Sequence, residues 1–347
     1  MPKSFRFFLL ALIAALALGI AACGDDDDDD GGGGGGAAKE EAKSIKAGVV
    51  TDIGGLNDRS FNFLANKGLE DAESKLGTEG RVLISKSNGD YVPNLTTLAQ
   101  QQFELVVPVG FLMADATNTV AGKFANVKFA IVDFPASGLK DKPTNVQGLL
   151  FKEQEAGYLA GYLAALWAKD NGAKVISTVG GQKIPPVDHY IAGYQAGAKA
   201  ALPGIKTLNA YSQDFVDQAK CKEIALDQIA QGSKVVFQVA GQCGLGALDA
   251  AKEKGVQGIG VDADQAYLGD HILTSALKKV DVAVYGAIKR ASDGTFKGGT
   301  DEISTVENGG VGLGKIGPAG EKYAGQVKEV QDKIASGEIK DIPDTVK

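Results

Sequence analysis

Along this chain, short apolar runs rich in Val and Ile alternate with longer stretches whose apolar residues recur every three to four positions. The runs at 45–50, 82–84, 105–107 and 129–132 are separated by amphipathic stretches at 60–76, 95–102 and 114–125. The same rhythm resumes with runs at 148–151, 175–179, 235–239 and 258–261 and stretches at 153–169, 190–202, 218–230 and 245–254. Period-two and period-3.6 patterns in alternation predict a βαβα chain, and parallel strands require such helical crossovers. The expected fold class is therefore α/β, with two parallel sheets flanked by helices.

The pattern divides near 144–148 into two blocks, and the run at 272–277 with the helix at 281–290 is expected to return to the first. That gives lobe 1 at 44–147 plus about 266–300, lobe 2 at 148–265, and a C-terminal segment at 301–347 completing the lobes. In open parallel sheets ligands sit at the carboxyl ends of strands, where loops and helix N-termini converge. Two such edges facing each other would form a closing clamp. Along the helix at 153–169, Glu155, Gly157, Ala160, Gly161 and Ala164 share one face and predict close helix packing.

The first residues follow a different rule. Lys3 and Arg6 precede an apolar run at 7–18 and then Gly19, Ile20, Ala21, Ala22 and Cys23. A basic start, a short apolar core and small residues at the end read as a signal peptide over 1–22. The run is too short to span a bilayer stably. Cys23 after two alanines resembles a lipobox, in which the mature N-terminal cysteine is lipidated; the alternative is an ordinary secretory signal with an incidental cysteine. Aspartates at 25–30 and glycines at 31–36 have nothing to bury and repel one another, so 23–43 reads as a solvated tether.

Composition narrows the function. The 347 residues carry a formal charge of -7, with two histidines and three cysteines. An acidic chain offers no clustered cations for a phosphate backbone, which argues against nucleic acid. The scarcity of His and Cys argues against a metal centre, and no cofactor is expected. Residues 309–316 have the glycine and lysine spacing of a P-loop, but Ile316 stands where a hydroxyl must reach Mg²⁺ and Gly317-Pro318 blocks the helix. Phe237, in the middle of an apolar strand, reads as core. Cys221, at the start of one helix, and Cys243, just past the next strand, fall at one sheet edge and are placed to form a disulfide, with two buried thiols as the alternative.

The loop after the first strand, Asp52 to Asn62, contains Gly54-Gly55 for a tight turn and Asn57 or Asp58, with Ser60, for a helix cap. Phe61 and Asn62 at the helix start supply an aromatic plate and an amide. This loop, with Phe111-Leu112-Met113-Ala114-Asp115, Glu155 to Gly161, Ala240-Gly241, Val261-Asp262-Ala263-Asp264-Gln265 and Thr274 to Lys278, resembles the basic membrane protein family in matching order. These are substrate-binding lipoproteins of ABC importers, including purine nucleoside receptors. The resemblance implies a type I periplasmic-binding-protein fold and a ligand-binding protein rather than an enzyme. Its expected partners are a purine nucleoside, a permease and an ATPase, with the chain a monomer, lipid-anchored on the extracytoplasmic face.

By the same resemblance the aromatic plates are Phe61 and Phe215, Asp52 and Asn62 lie at the ligand, and Asp115 contacts the base edge, with Asp133 its rival. Gly241, Asp262 and Lys278 address the ribose. Phe63 stands where the family commonly has glutamine, and Gln242-Cys243 replaces a small-residue pair. A sugar or autoinducer-like ligand, or an extracellular nucleoside hydrolase using Asp52 and Asp262, are the competing readings.

Overall fold

The computed structural model describes residues 43–346, so the signal peptide, Cys23 and nearly all of the tether lie outside the described residues. The first half runs β1 (Lys46–Val50), α1 (Phe61–Leu76), β2 (Glu79–Leu83), α2 (Tyr91–Gln100), β3 (Leu105–Pro108), α3 (Ala114–Lys123), β4 (Lys128–Val132) and β5 (Val146–Phe151). Next come α4 (Glu153–Asp170), β6 (Val175–Gly180), α5 (Pro185–Ala201), β7 (Lys206–Tyr211), α6 (Gln218–Ala230), β8 (Ser233–Val239), α7 (Gly241–Glu253) and β9 (Gln257–Asp262). The chain finishes with β10 (Ile272–Lys278), α8 (Val280–Ser292), β11 (Asp301–Ser304), β12 (Val311–Leu313) and α9 (Ala324–Ala335).

These strands form two six-stranded sheets, ordered β11-β5-β4-β3-β1-β2 and β12-β10-β9-β8-β6-β7. All pairs are parallel except β12 against β10. In each sheet the strand order reverses, between β1 and β3 and between β6 and β8, which opens the crevice where parallel sheets hold ligands. Buried Val, Ile, Leu and Ala fill the layers between sheets and helices. Phe237 is fully buried there, edge-on to Tyr190 and tilted against Tyr194.

The sheet order moves two expected boundaries. Residues 148–151 belong to β5 of the first sheet, and 272–277 belong to β10 of the second, so the chain returns to the first lobe only with α8, which packs on α1, and then β11. An apolar run looks the same whichever sheet it joins; its partner is a long-range choice. The chain crosses between lobes at 151–153, at 278–280 and at 304–311. The pattern also misses β7, an edge strand with no fully buried residue.

Helices α4 and α5 meet almost backbone to backbone. A Cβ at Gly157 or Gly161 would stand 2.2 or 1.9 Å from the carbonyl oxygens of Tyr190 and Tyr194, and one at Gly193 or Gly197 2.1 or 2.0 Å from those of Gln154 and Tyr158. A contact this close cannot relax by turning a side chain. Gly161→Ala is therefore expected to cost about 2 kcal/mol or more, read as a lower denaturation midpoint in urea. An unchanged midpoint would show that the helices separate freely.

Candidate functional site

Each wall of the cleft comes from a strand's carboxyl end. Asp52 follows β1, Gly110 follows β3, Asp133 follows β4 and Glu153 follows β5. On the other lobe Gly181 follows β6, Gly241 follows β8, and Asp262 and Lys278 end β9 and β10. Between them lies a cavity of about 80 Å³, lined by residues of both lobes. Apolar walls come from Phe61 and Phe111 of lobe 1 and Ile184, Val187 and Phe215 of lobe 2.

The first loop is built by its own side chains. The Asp58 carboxylate accepts the backbone N–H groups of Ser60, Asn62 and Phe63 at 3.1, 2.7 and 3.1 Å, capping α1 and placing Phe61 at its first position. The Asn62 amide oxygen accepts the Asp52 N–H at 2.8 Å, and its NH₂ donates to the Ile53 carbonyl at 3.4 Å. Asn62 thus lines the cavity while spending its polar atoms on holding the loop. One Asp52 oxygen accepts the Tyr91 hydroxyl and, at 2.7 Å, the Ile53 N–H. The other lies beside Gly110, where a Cβ would come within 2.5 Å of it. Burial pushes the Asp52 carboxyl up to about 6 although Tyr91 pulls the other way.

The deepest feature is an ammonium among carboxylates. Lys278 Nζ is 2.7 Å from the Asp133 carboxylate and 2.9 Å from that of Glu153. It also lies 5.1 and 4.9 Å from the ring centres of Phe61 and Phe151. Burial alone would disfavour charge on Lys278, but Asp133, Glu153 and Asp262 more than reverse that and raise its pKa. Burial pushes Asp133 up against the pull of Lys278. The same burial works against Glu153, yet Lys278 and His189, whose ring is 3.0 Å away, hold it low.

Asp262 accepts the Tyr190 hydroxyl at 3.3 Å, and burial pushes its carboxyl up to about 6. Asp133 and Asp262 both adopt left-handed backbone, φ 67° and 60°, which aspartate tolerates better than most residues.

Of the residues expected at the site, Asp52, Phe61, Asn62, Phe215, Gly241, Asp262 and Lys278 all line the cavity. Asp115 does not: it stands exposed in the first turn of α3, because the short turn at Phe111–Met113 carries the chain past the cleft before the helix begins. Its rival Asp133 lines the cavity instead. Pattern reading missed Glu153, His189, Tyr190 and Tyr91. Glu153 follows a strand and was open to the carboxyl-edge rule; Tyr91 and Tyr190 lie inside helices that only packing aims at the cleft. Residues 311–313 of the P-loop-like segment form β12. Cys221 and Cys243 are bonded, Cα atoms 5.5 Å apart, with Cys243 inside α7 rather than before it.

Facing carboxyl edges, three crossings between lobes and a lined cavity define a two-lobed solute-binding protein of the type I periplasmic-binding-protein fold. Residues 45–345 match the Bmp family, described as "ABC transporter substrate-binding protein PnrA-like", and the chain belongs to that family. It is 36% identical over 317 residues to the "ABC transporter nucleoside-binding protein BmpA" of Lactococcus lactis, covering 85% of this chain and 88% of that one. It is 38% identical over 282 residues to an uncharacterized lipoprotein of Pyrococcus abyssi, covering 78% and 69%. A solute-binding protein structure from Aeropyrum pernix K1 superposes with a TM-score of 0.77 at 29% identity, covering 86% and 94%. Among the described residues, no helix is long and apolar enough to cross a membrane.

The ion cluster sets an expectation. Lys278→Met would leave Asp133 and Glu153 buried without their cation, at a cost of about 3 to 5 kcal/mol at neutral pH. Carboxyls deprived of Lys278 take up protons at higher pH than before, so the loss shrinks as pH falls. Urea unfolding at pH 8 and pH 5 reads both effects. An equal loss at the two pH values would exclude the charge as its cause.

Proposed function

We propose that the protein captures a purine nucleoside between its lobes and delivers it to an ABC permease and its ATPase, acting by binding and without catalysis. The observation that carries this reading is one aromatic plate on each lobe, Phe61 and Phe215, beside a cavity lined by the carboxylates of Asp52, Asp58, Asp133 and Asp262. Carboxylates accept hydrogen bonds, so the matching ligand is flat, uncharged and rich in N–H and O–H donors. Asp262 takes the vicinal ribose hydroxyls and Asp52, with Asp133, faces the base. Lys278, whose ammonium is held by Asp133 and Glu153, addresses the ribose. The nucleoside-binding name of the Lactococcus relative supports the ligand class.

Calorimetry with adenosine, guanosine, inosine, a free purine and ribose tests this. Phe61→Ala and Phe215→Ala should each weaken nucleosides roughly tenfold or more, since an aromatic stack is worth about 1 to 3 kcal/mol. Asp262→Ala should weaken nucleosides far more than the free base, because only the sugar donates to that carboxylate. Affinity should also fall as pH drops through about 6, where Asp262 takes up its proton. Wild-type protein that binds no purine nucleoside overturns the ligand class, and equal loss for base and nucleoside in Asp262→Ala overturns the ribose role.

The lipobox-like Ala21-Ala22-Cys23 and the tether behind it, with relatives named lipoproteins, support a lipid anchor at Cys23 on the extracytoplasmic face. Cys23→Ser should release the protein into the medium or stall signal processing, read by fractionation. Processed Cys23→Ser protein that stays with the membrane would rule the anchor out.

A further inference from the structure

Phe215 stands on an irregular stretch between β7 and α6, so no sheet ladder holds it. A ring that serves as a ligand wall needs a fixed backbone, because a displaced plate loses its stacking contacts. The stretch begins well tied, with the Ser212 and Gln213 N–H groups donating to the Gly180 and Gly181 carbonyls at 2.8 and 3.1 Å. Beyond Phe215, the Asp214 carboxylate accepts the N–H groups of Val216 and Asp217 and, at 2.6 Å, the Lys220 ammonium, contacts that shape the loop and join it to the start of α6. At Phe215 itself one tie reaches outward: its carbonyl accepts the backbone N–H of Cys243 at 3.0 Å.

Cys243 sits in the first turn of α7, two positions after Gly241, and is covalently joined to Cys221 in the first turn of α6. Both cysteines are fully buried. The two helices touch at this same end, where a Cβ at Gly246 would stand 1.9 Å from the Gln218 carbonyl oxygen. A closed circuit results: from Phe215 along the chain into α6, across the disulfide to Cys243, and back by its N–H to the Phe215 carbonyl. The ring packs on Gly181, where a Cβ would lie 2.2 Å from it.

We infer that the Cys221–Cys243 disulfide is a positioning element of the binding site, fixing the start of α7 so that the Cys243 N–H holds Phe215 at its stacking position. This rests on the reading of Phe215 as a ligand plate. A bridge that only restricts the unfolded chain would raise stability and leave the folded site alone.

A double-mutant cycle on the full chain separates the two roles. Cys221→Ser/Cys243→Ser should bind inosine and guanosine about three- to tenfold more weakly, through faster dissociation, a coupling of the size found between residues in contact. In the Phe215→Ala background the same pair of serines should change affinity by less than about twofold, because the plate they position is gone. Equal loss in both backgrounds, or no loss beside Phe215, overturns the proposal. Should the serine pair fail to fold, Cys221→Val/Cys243→Ala, which keeps apolar atoms in the space, serves in its place. Amide hydrogen exchange on ligand-free protein supplies the arm that needs no nucleoside: without the bridge the Cys243 amide should gain more in exchange rate than the core amides of β8 and β9 do. A gain no larger than theirs overturns the proposal, whereas a larger one in a protein that binds no nucleoside sustains it and discards only the ligand class.

Discussion

A lysine ammonium buried among carboxylates is the constraint on which the cleft depends. Lys278 ends a strand of the second sheet, Asp133 follows a strand of the first, and Glu153 opens the helix by which the chain first crosses between them. None of the three could be buried alone, since an unpaired charge in this environment costs several kcal/mol. Their pairing therefore requires both sheet edges and one crossing to converge within hydrogen-bond distance. Lys278 and Asp133 of this cluster line the cavity, so what brings the lobes into register also sets the chemistry of the site.

Packing and chemistry are linked a second time through α4 and α5. Glycines on both helices let the backbones touch, and at the point where Gly157 faces the Tyr190 carbonyl the tyrosine side chain is carried under the second sheet. Its hydroxyl there reaches Asp262. A larger residue in the helix contact would move Tyr190 and remove the donor that partly compensates a buried carboxyl. Glycines outside the cavity thus bear on the charge state of a carboxyl that lines it.

The electrostatic character of the cleft follows from the count of its groups. Asp52, Asp58, Asp133 and Asp262 line it and Glu153 lies behind, against Lys278 and the partly exposed His189. Asp58 is quenched by the α1 amides and Lys278 by its two carboxylates, which leaves acceptors facing the ligand. An anionic ligand would meet carboxylates and a cation already committed; an uncharged donor-rich one meets the partners it lacks on leaving water.

The α/β class, most strands and helices, the tight α4 contact and Phe237 as core were legible in the chain itself, because each depends on local spacing. Apolar period separates strand from helix and the carboxyl-edge rule points to Asp52, whereas Phe215, Gly241, Asp262 and Lys278 became site candidates through the family resemblance. Tertiary structure alone decided which sheet β5 and β10 join, that Asp115 turns to solvent while Asp133 faces the cleft, and that Asn62 is consumed by its own loop. It alone surrounds Lys278 with Asp133 and Glu153. These outcomes are set by partners far away in sequence, and a residue's hydropathy and spacing carry no record of which distant group will stand beside it once the sheets have closed.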